Sequence, residues 1–97
     1  MEITEVRVSL RDEPKLKAFV NITLDNCFVI RGLKVIEGRN GLFISMPSRQ
    51  GKDGTYQDIA HPINNETRRA MEKVILDEYQ RVRQTEGGGA SRSETGL

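Results

Sequence analysis

The run from Leu16 to Asp25 constrains the fold more than any other part of the sequence. Leu16, Ala18, Val20, Ile22 and Leu24 alternate with Lys17, Phe19, Asn21, Thr23 and Asp25. Side chains on a strand point to opposite faces in turn, so a strict apolar/polar period of two predicts a strand with one buried face. A shorter run of the same kind precedes it, with Val6, Val8 and Leu10 set against Arg7, Ser9 and Arg11. Asp12-Glu13-Pro14-Lys15 separates the two as a turn. Asp25-Asn26 is a second turn signal, because both side chains can bond their own backbone and tolerate left-handed φ.

The next apolar stretch holds Phe28, Val29, Ile30, Leu33, Val35 and Ile36 and is interrupted by Gly32. Glycine inside a strand often marks a bulge, and a bulged or bent strand is the expectation here. Gly38-Arg39-Asn40-Gly41 holds an Asn-Gly pair between apolar runs, a strong hairpin signal. Leu42, Ile44 and Met46 form the returning strand, which stops at Pro47. Residues 48–55 are expected to be a polar loop, and Tyr56 to Ile63 one more short strand anchored by Ile59 and Ile63.

A single helix should come next. Asn64 or Asn65 is its N-cap, with Glu66 in the first turn. Met71, Val74, Ile75, Tyr79 and Val82 recur at helical spacing and predict the buried face. The fold class is thus α+β: an antiparallel meander of about five strands with one C-terminal helix on one face. The other face is left for solvent or a partner, and Phe19 on the polar side of its strand suggests a partner.

Near residue 84 the character changes. Residues 84–97 read QTEGGGASRSETGL. Their one large apolar residue, the last, cannot offset the ordering entropy, so a disordered tail jointed at Gly87–Gly89 is expected beyond a domain of residues 1–83. A domain of that length buries only about 60% of its unfolded surface. Small domains often add disulfides, metals or oligomerisation. With one cysteine, Cys27, and one histidine, His61, the first two lack residues, which favours a homo-oligomer. No apolar run nears the ~18–20 residues of a membrane span, and the first residues lack the pattern of a signal peptide. A cytoplasmic location is the expectation.

Enzyme chemistry finds little support. His61 before Pro62 reads as a structural histidine in a strand rather than a general base. Cys27 reads as a small buried apolar residue rather than a nucleophile. Asp53 and Asp58 are isolated, so neither a metal site nor a cofactor is expected. Gly51-Lys52-Asp53-Gly54 lacks the spacing of a phosphate loop and leads into a strand, so it is a turn.

Binding chemistry is better represented. The chain carries 15 Lys+Arg against 14 Asp+Glu, close to neutral. Between Arg31 and Lys52, however, the basic residues are Arg31, Lys34, Arg39, Arg49 and Lys52, and Glu37 is the one acid. Arg49 suits phosphate or guanine, Gln50 can bond adenine, and Ser48 with the glycine amides can bond phosphate. By composition alone this segment reads first as a solvated loop. On the helix, Arg69, Lys73, Gln80 and Arg83 form a second candidate surface. Glu66, Glu72 and Asp77 are mixed among them, and a solvated face with pairs such as Asp77–Arg81 is the simpler expectation. Phe19, Phe28, Phe43, Tyr56 and Tyr79 are scattered along the chain, without the interleaving of an RNA-stacking sheet.

Several longer motifs agree with one family. Ile22-Thr23-Leu24-Asp25, Phe28-Val29-Ile30 and Leu33-Lys34-Val35-Ile36-Glu37-Gly38 resemble the stage V sporulation protein G family. So do Gly41-Leu42-Phe43-Ile44-Ser45-Met46-Pro47-Ser48 and Asp58-Ile59-Ala60-His61-Pro62-Ile63. The resemblance spans about residues 1–82 and excludes the tail. It implies a small cytoplasmic bacterial regulator with an antiparallel sheet and a C-terminal helix, dimerising by sheet extension. It also implies binding of DNA, and in some members RNA, in connection with septation and sporulation. The family's DNA contact is a basic loop after Met-Pro-Ser, which maps here to Ser48, Arg49, Gln50 and the following turn with Lys52. Many members have two basic residues side by side there, whereas this chain has Arg49 followed by Gln50. Arg31, Lys34, Arg39, Arg69 and Lys73 are secondary nucleic-acid candidates. A second reading makes the chain an adaptor for a protein of the division or transcription machinery, with nucleic acid incidental and with Phe19 and Leu76 as contacts.

Overall fold

The computed structural model describes residues 1–86. Its strands are β1 (Ile3–Leu10), β2 (Leu16–Leu24), β3 (Phe28–Gly38), β4 (Gly41–Ser45), β5 (Ser48–Gln50) and β6 (Tyr56–Asp58), followed by helix α1 (Asn65–Glu86). β1 to β4 form one antiparallel sheet in sequence order, and β5 pairs with β6 in a separate two-stranded ribbon. The expected meander is therefore present with four strands. The fifth and sixth leave it.

The alternating residues of β2 behave as their period requires. Ala18, Val20, Ile22 and Leu24 are buried, and so are Leu33, Val35, Ile44 and Met46 from the neighbouring strands. From α1, Met71, Ile75, Tyr79 and Val82 are buried as well. Val74, placed by helical spacing on the same face, is instead 41% exposed at the groove between α1 and β1. Leu76 packs against the core, so it is not a free contact for a partner.

Backbone geometry explains the connections. Asp25 (φ 50°) and Asn26 (φ 57°) are both left-handed, the pairing a type I′ turn demands. The Cys27 amide closes that turn on the Leu24 carbonyl at 3.0 Å. The turn is tied to β1, since the Glu2 amide donates to Asp25 Oδ1 at 2.9 Å and the Asn26 amide to Thr4 Oγ1 at 2.9 Å. Cys27 is thus held in a surface turn and is exposed, not buried. At the β3–β4 hairpin Gly38 pairs with Gly41, so Arg39 and Asn40 are the loop residues and only Gly41 of the Asn-Gly pair is left-handed. Gly32 adopts φ 86°, and the register opposite Val20–Ile22 slips there by one residue. This is the expected bulge.

Asn64 is the N-cap of α1, its Oδ1 accepting from the Thr67 amide at 2.7 Å. The ion pairs on the helix are Lys73–Asp77 and Glu78–Arg81 rather than Asp77–Arg81. The helix continues to Glu86, so residues 84–86, expected in the tail, extend it. The expected joint at Gly87–Gly89 and the rest of the tail lie outside the described residues. No helix among them is long and apolar enough to cross a membrane.

Candidate nucleic-acid interface

The segment expected to be a polar loop is a ribbon. Its register sets Ser48 opposite Asp58, Arg49 opposite Gln57 and Gln50 opposite Tyr56. The ladder continues at its base, where the Ile59 amide donates to the Pro47 carbonyl at 2.7 Å. It ends in a tight tip, with the Gly51 amide on the Thr55 carbonyl at 2.7 Å and the Gly54 amide on the Gly51 carbonyl at 3.1 Å. Gly54 takes φ 87°, a conformation open to glycine and strained for other residues. Asp53 locks the tip by accepting from the Thr55 amide at 3.1 Å and the Thr55 hydroxyl at 2.7 Å. Those bonds hold its carboxyl below the usual aspartate range.

Every residue of β5 and β6 is exposed. Strand alternation divides the predicted site residues between two faces. Ser48 and Gln50 share one face with Asp58 and Tyr56, whereas Arg49 shares the other with Gln57. The four residues read as one patch in sequence therefore do not form one. The Gln50 side-chain amide donates to the Gly54 carbonyl at 3.1 Å and so braces the tip. Lys52 stands exposed in the tip itself. Neither Arg49 nor Lys52 is ion-paired among the described residues. Gln57 was not singled out from sequence. Its only signal is the cross-strand register, which needs the ribbon's turn to be known.

The secondary candidates disperse. Arg31 is exposed in β3 beside the Gly32 bulge, and a Cβ on Gly32 would lie 3.6 Å from Pro47 at the ribbon's root. Arg69 lies in the N-terminal part of α1. That part approaches the root as well, because Thr67 and Met71 share a ~160 Å³ apolar cavity with Met46, Pro47, Ala60 and Pro62. Arg39 sits in the hairpin at the opposite end of β4 from the ribbon. Lys34 is on the sheet's uncovered face, and Lys73 is engaged by Asp77 at 3.0 Å.

The remaining reactive residues stay apart. His61 is exposed in the link between β6 and α1, not in a strand, with Nδ1 2.9 Å from the Pro62 carbonyl. It borders the apolar cavity, whose wall has no carboxylate or thiol. Among the described residues no three His, Cys, Asp or Glu side chains are placed to hold a metal ion. Ile59 and Ile63, expected to anchor a strand, are 67% and 90% exposed, because β6 ends at Asp58.

A four-stranded antiparallel sheet backed by one helix, with a projecting polar ribbon that exposes Arg49 and Lys52 beside Asp53 and Asp58, defines a small α+β protein. Residues 1–81 match the family model described as SpoVG. The chain is 60% identical over 96 residues to "Putative septation protein SpoVG" of Anaeromyxobacter sp. (strain K), covering 99% of this chain and 94% of the relative. The protein of the same name from Myxococcus xanthus is 65% identical over 81 residues, covering 84% and 82%. That of Bdellovibrio bacteriovorus is 56% identical over 81 residues, covering 84% and 75%. The chain belongs to the SpoVG family, as its motifs had indicated.

Proposed function

We propose that the chain is a cytoplasmic, non-enzymatic regulator that binds DNA, and RNA as a further ligand, as a homodimer. Its action would bear on gene expression linked to septation, sporulation or envelope processes. The observation that carries this reading is the ribbon. It is fully exposed, stands outside the sheet, and carries Arg49 and Gln57 side by side with Lys52 at its tip. A two-stranded ribbon fits the major groove. There Arg49 would bond guanine O6/N7 or phosphate, Gln57 adenine N6/N7, and Lys52 and the tip amides the backbone. Gln50, where many relatives place a second basic residue, would act by bracing the tip. A dimer is supported by small size and by the sheet edges at β1 and β4, whose outward backbone groups can pair with a second copy.

The test is a titration of labelled duplex DNA and RNA at several salt concentrations. If each protomer neutralises about three phosphates, a dimer should give a log–log salt slope near −5. The Arg49→Ala/Lys52→Ala variant should bind at least ~10-fold more weakly with a shallower slope, while its unfolding midpoint stays put. Unchanged affinity would sink the assignment to the ribbon.

One observation favours the adaptor reading. Tyr56, Ile59 and Ile63 are exposed apolar residues at and below the ribbon. Tight, salt-insensitive capture of a protein by this patch, beside feeble sequence-blind DNA binding, would decide for it.

A further inference from the structure

The sheet's uncovered face is not the ordinary solvated surface that scattered aromatic residues suggest. Phe19 on β2 lies beside Lys34 on β3, and Lys34 lies beside Ser45 on β4. Further along the same strands, Ile36 on β3 lies beside Phe43 on β4. Cross-strand partners share a face, so Phe19, Lys34, Ile36 and Phe43 form one contiguous surface on the side away from α1. Two residues separated by 24 positions in sequence are thereby placed two strands apart, roughly 10 Å laterally.

Each ring is held in place. The Arg11 guanidinium lies 4.9 Å from the Phe19 ring centroid. The Phe43 ring lies along the neighbouring strand so closely that a Cβ on Gly38 would sit 3.0 Å from its Cε1. Phe43 is nonetheless 45% exposed, so part of the ring remains open. Among the described residues, neither Arg11 nor Lys34 has a carboxylate partner.

From this placement we infer that the uncovered sheet face is a second nucleic-acid site, one that takes single-stranded chains by stacking bases on Phe43 and on the Phe19–Arg11 pair while Lys34 meets the intervening phosphate. The inference deepens, and rests on, the reading of the chain as a nucleic-acid binder. Aromatic rings and guanidinium planes offer π-faces to any unstacked base, and the cations supply sequence-independent attraction. A duplex keeps its bases stacked, so it cannot use these rings. The chemistry also argues against a second copy on this face. A two-fold contact centred on Lys34 would set like charges against each other in a desolvated seam.

The test uses the full chain carrying Phe43→Trp, which places a fluorophore in a protein that has no Trp. Unlabelled oligo(dT) should quench that indole, and an abasic strand of equal length should not. In the wild-type background Phe43→Leu, which keeps the site apolar, should weaken labelled oligo(dT) binding roughly tenfold and leave duplex binding unchanged. Circular dichroism and urea unfolding confirm that each variant is folded. The Arg49→Ala/Lys52→Ala variant should lose duplex binding yet still bind oligo(dT). Equal quenching by abasic and oligo(dT) strands, or no quenching while duplex still binds, overturns the stacking site and spares the ribbon. Undiminished duplex binding by the Arg49→Ala/Lys52→Ala variant, with quenching intact, does the reverse. A change in oligomeric state on Phe43→Leu, without change in oligo(dT) affinity, overturns it in favour of a contact between copies.

Discussion

The sheet and the ribbon are made of the same secondary structure and obey opposite rules. In β2 every second residue from Ala18 to Leu24 is buried, and the strand is held by neighbours on both sides and by the helix below. In β5 and β6 no residue is buried, and each strand has one partner. The sheet is stabilised by apolar area removed from water, about 25 cal/mol per Å². The ribbon is kept by its ladder, by Gly54, and by Asp53 and Gln50 bonding across the tip. The two regions therefore divide the labour. Side chains in the sheet's inner face cannot change without loss of stability, whereas those on the ribbon are free to be chosen for recognition.

The sharpest way to test that division is to cut each region in turn. Ile22→Ala removes a fully buried side chain at the centre of the sheet. It should cost about 2–5 kcal/mol, read as a lower urea midpoint, and in a domain this small much of the protein should be unfolded. A loss below ~1 kcal/mol would mean the inner face is loosely packed.

Paired glycine substitutions give the next largest effect. Gly32 (φ 86°) and Gly54 (φ 87°) share a positive φ but sit in the sheet and the ribbon. Alanine at either is strained by about 1–2 kcal/mol. Gly32→Ala should lower the global midpoint by that amount. Gly54→Ala should leave the global midpoint in place and show instead as weaker duplex binding and faster amide exchange in the tip. If Gly54→Ala lowers the global midpoint equally, ribbon and sheet unfold as one unit and the comparison fails.

Asn64→Ala removes the cap from α1 and should cost about 1 kcal/mol, measured by urea unfolding. The effect belongs to the core, so nucleic-acid affinity of the folded protein should be unchanged.

The smallest effect concerns pH. Asp53's carboxyl is depressed because its ionised form accepts both Thr55 bonds. A depressed acid contributes stability above its unfolded value, and that contribution is lost as pH falls through its folded value. Acidification below the ordinary aspartate range should therefore release the tip before the sheet. Amide exchange at Thr55 should rise there, and Asp53→Asn should flatten the response.

Much of the fold was legible because its signals are local. The period of two in β2, the glycine at the β3 bulge and the Asn cap of α1 each act within a few residues. Val74 was misplaced because helical spacing defines a stripe but not where the sheet ends beneath it. Cys27 was misread because composition says free cysteines are usually buried, while the type I′ turn at Asp25-Asn26 requires a surface residue next. The site was less legible. Ser48, Arg49, Gln50 and Lys52 were found, but as one loop patch. Only pairing with Tyr56–Asp58 separates Arg49 from its neighbours and brings Gln57 beside it.

The sequence by itself determined the order of the first four strands and the antiparallel meander they form, the helix with its cap and the family, because periodicity, turn chemistry and capping are short-range effects. The tertiary structure alone decided which strands leave the sheet, which face of the ribbon Arg49 occupies, and that Phe19 and Phe43 meet on one surface. Those outcomes depend on register between segments far apart in the chain. A slip of a single residue would send each of these side chains to the other face.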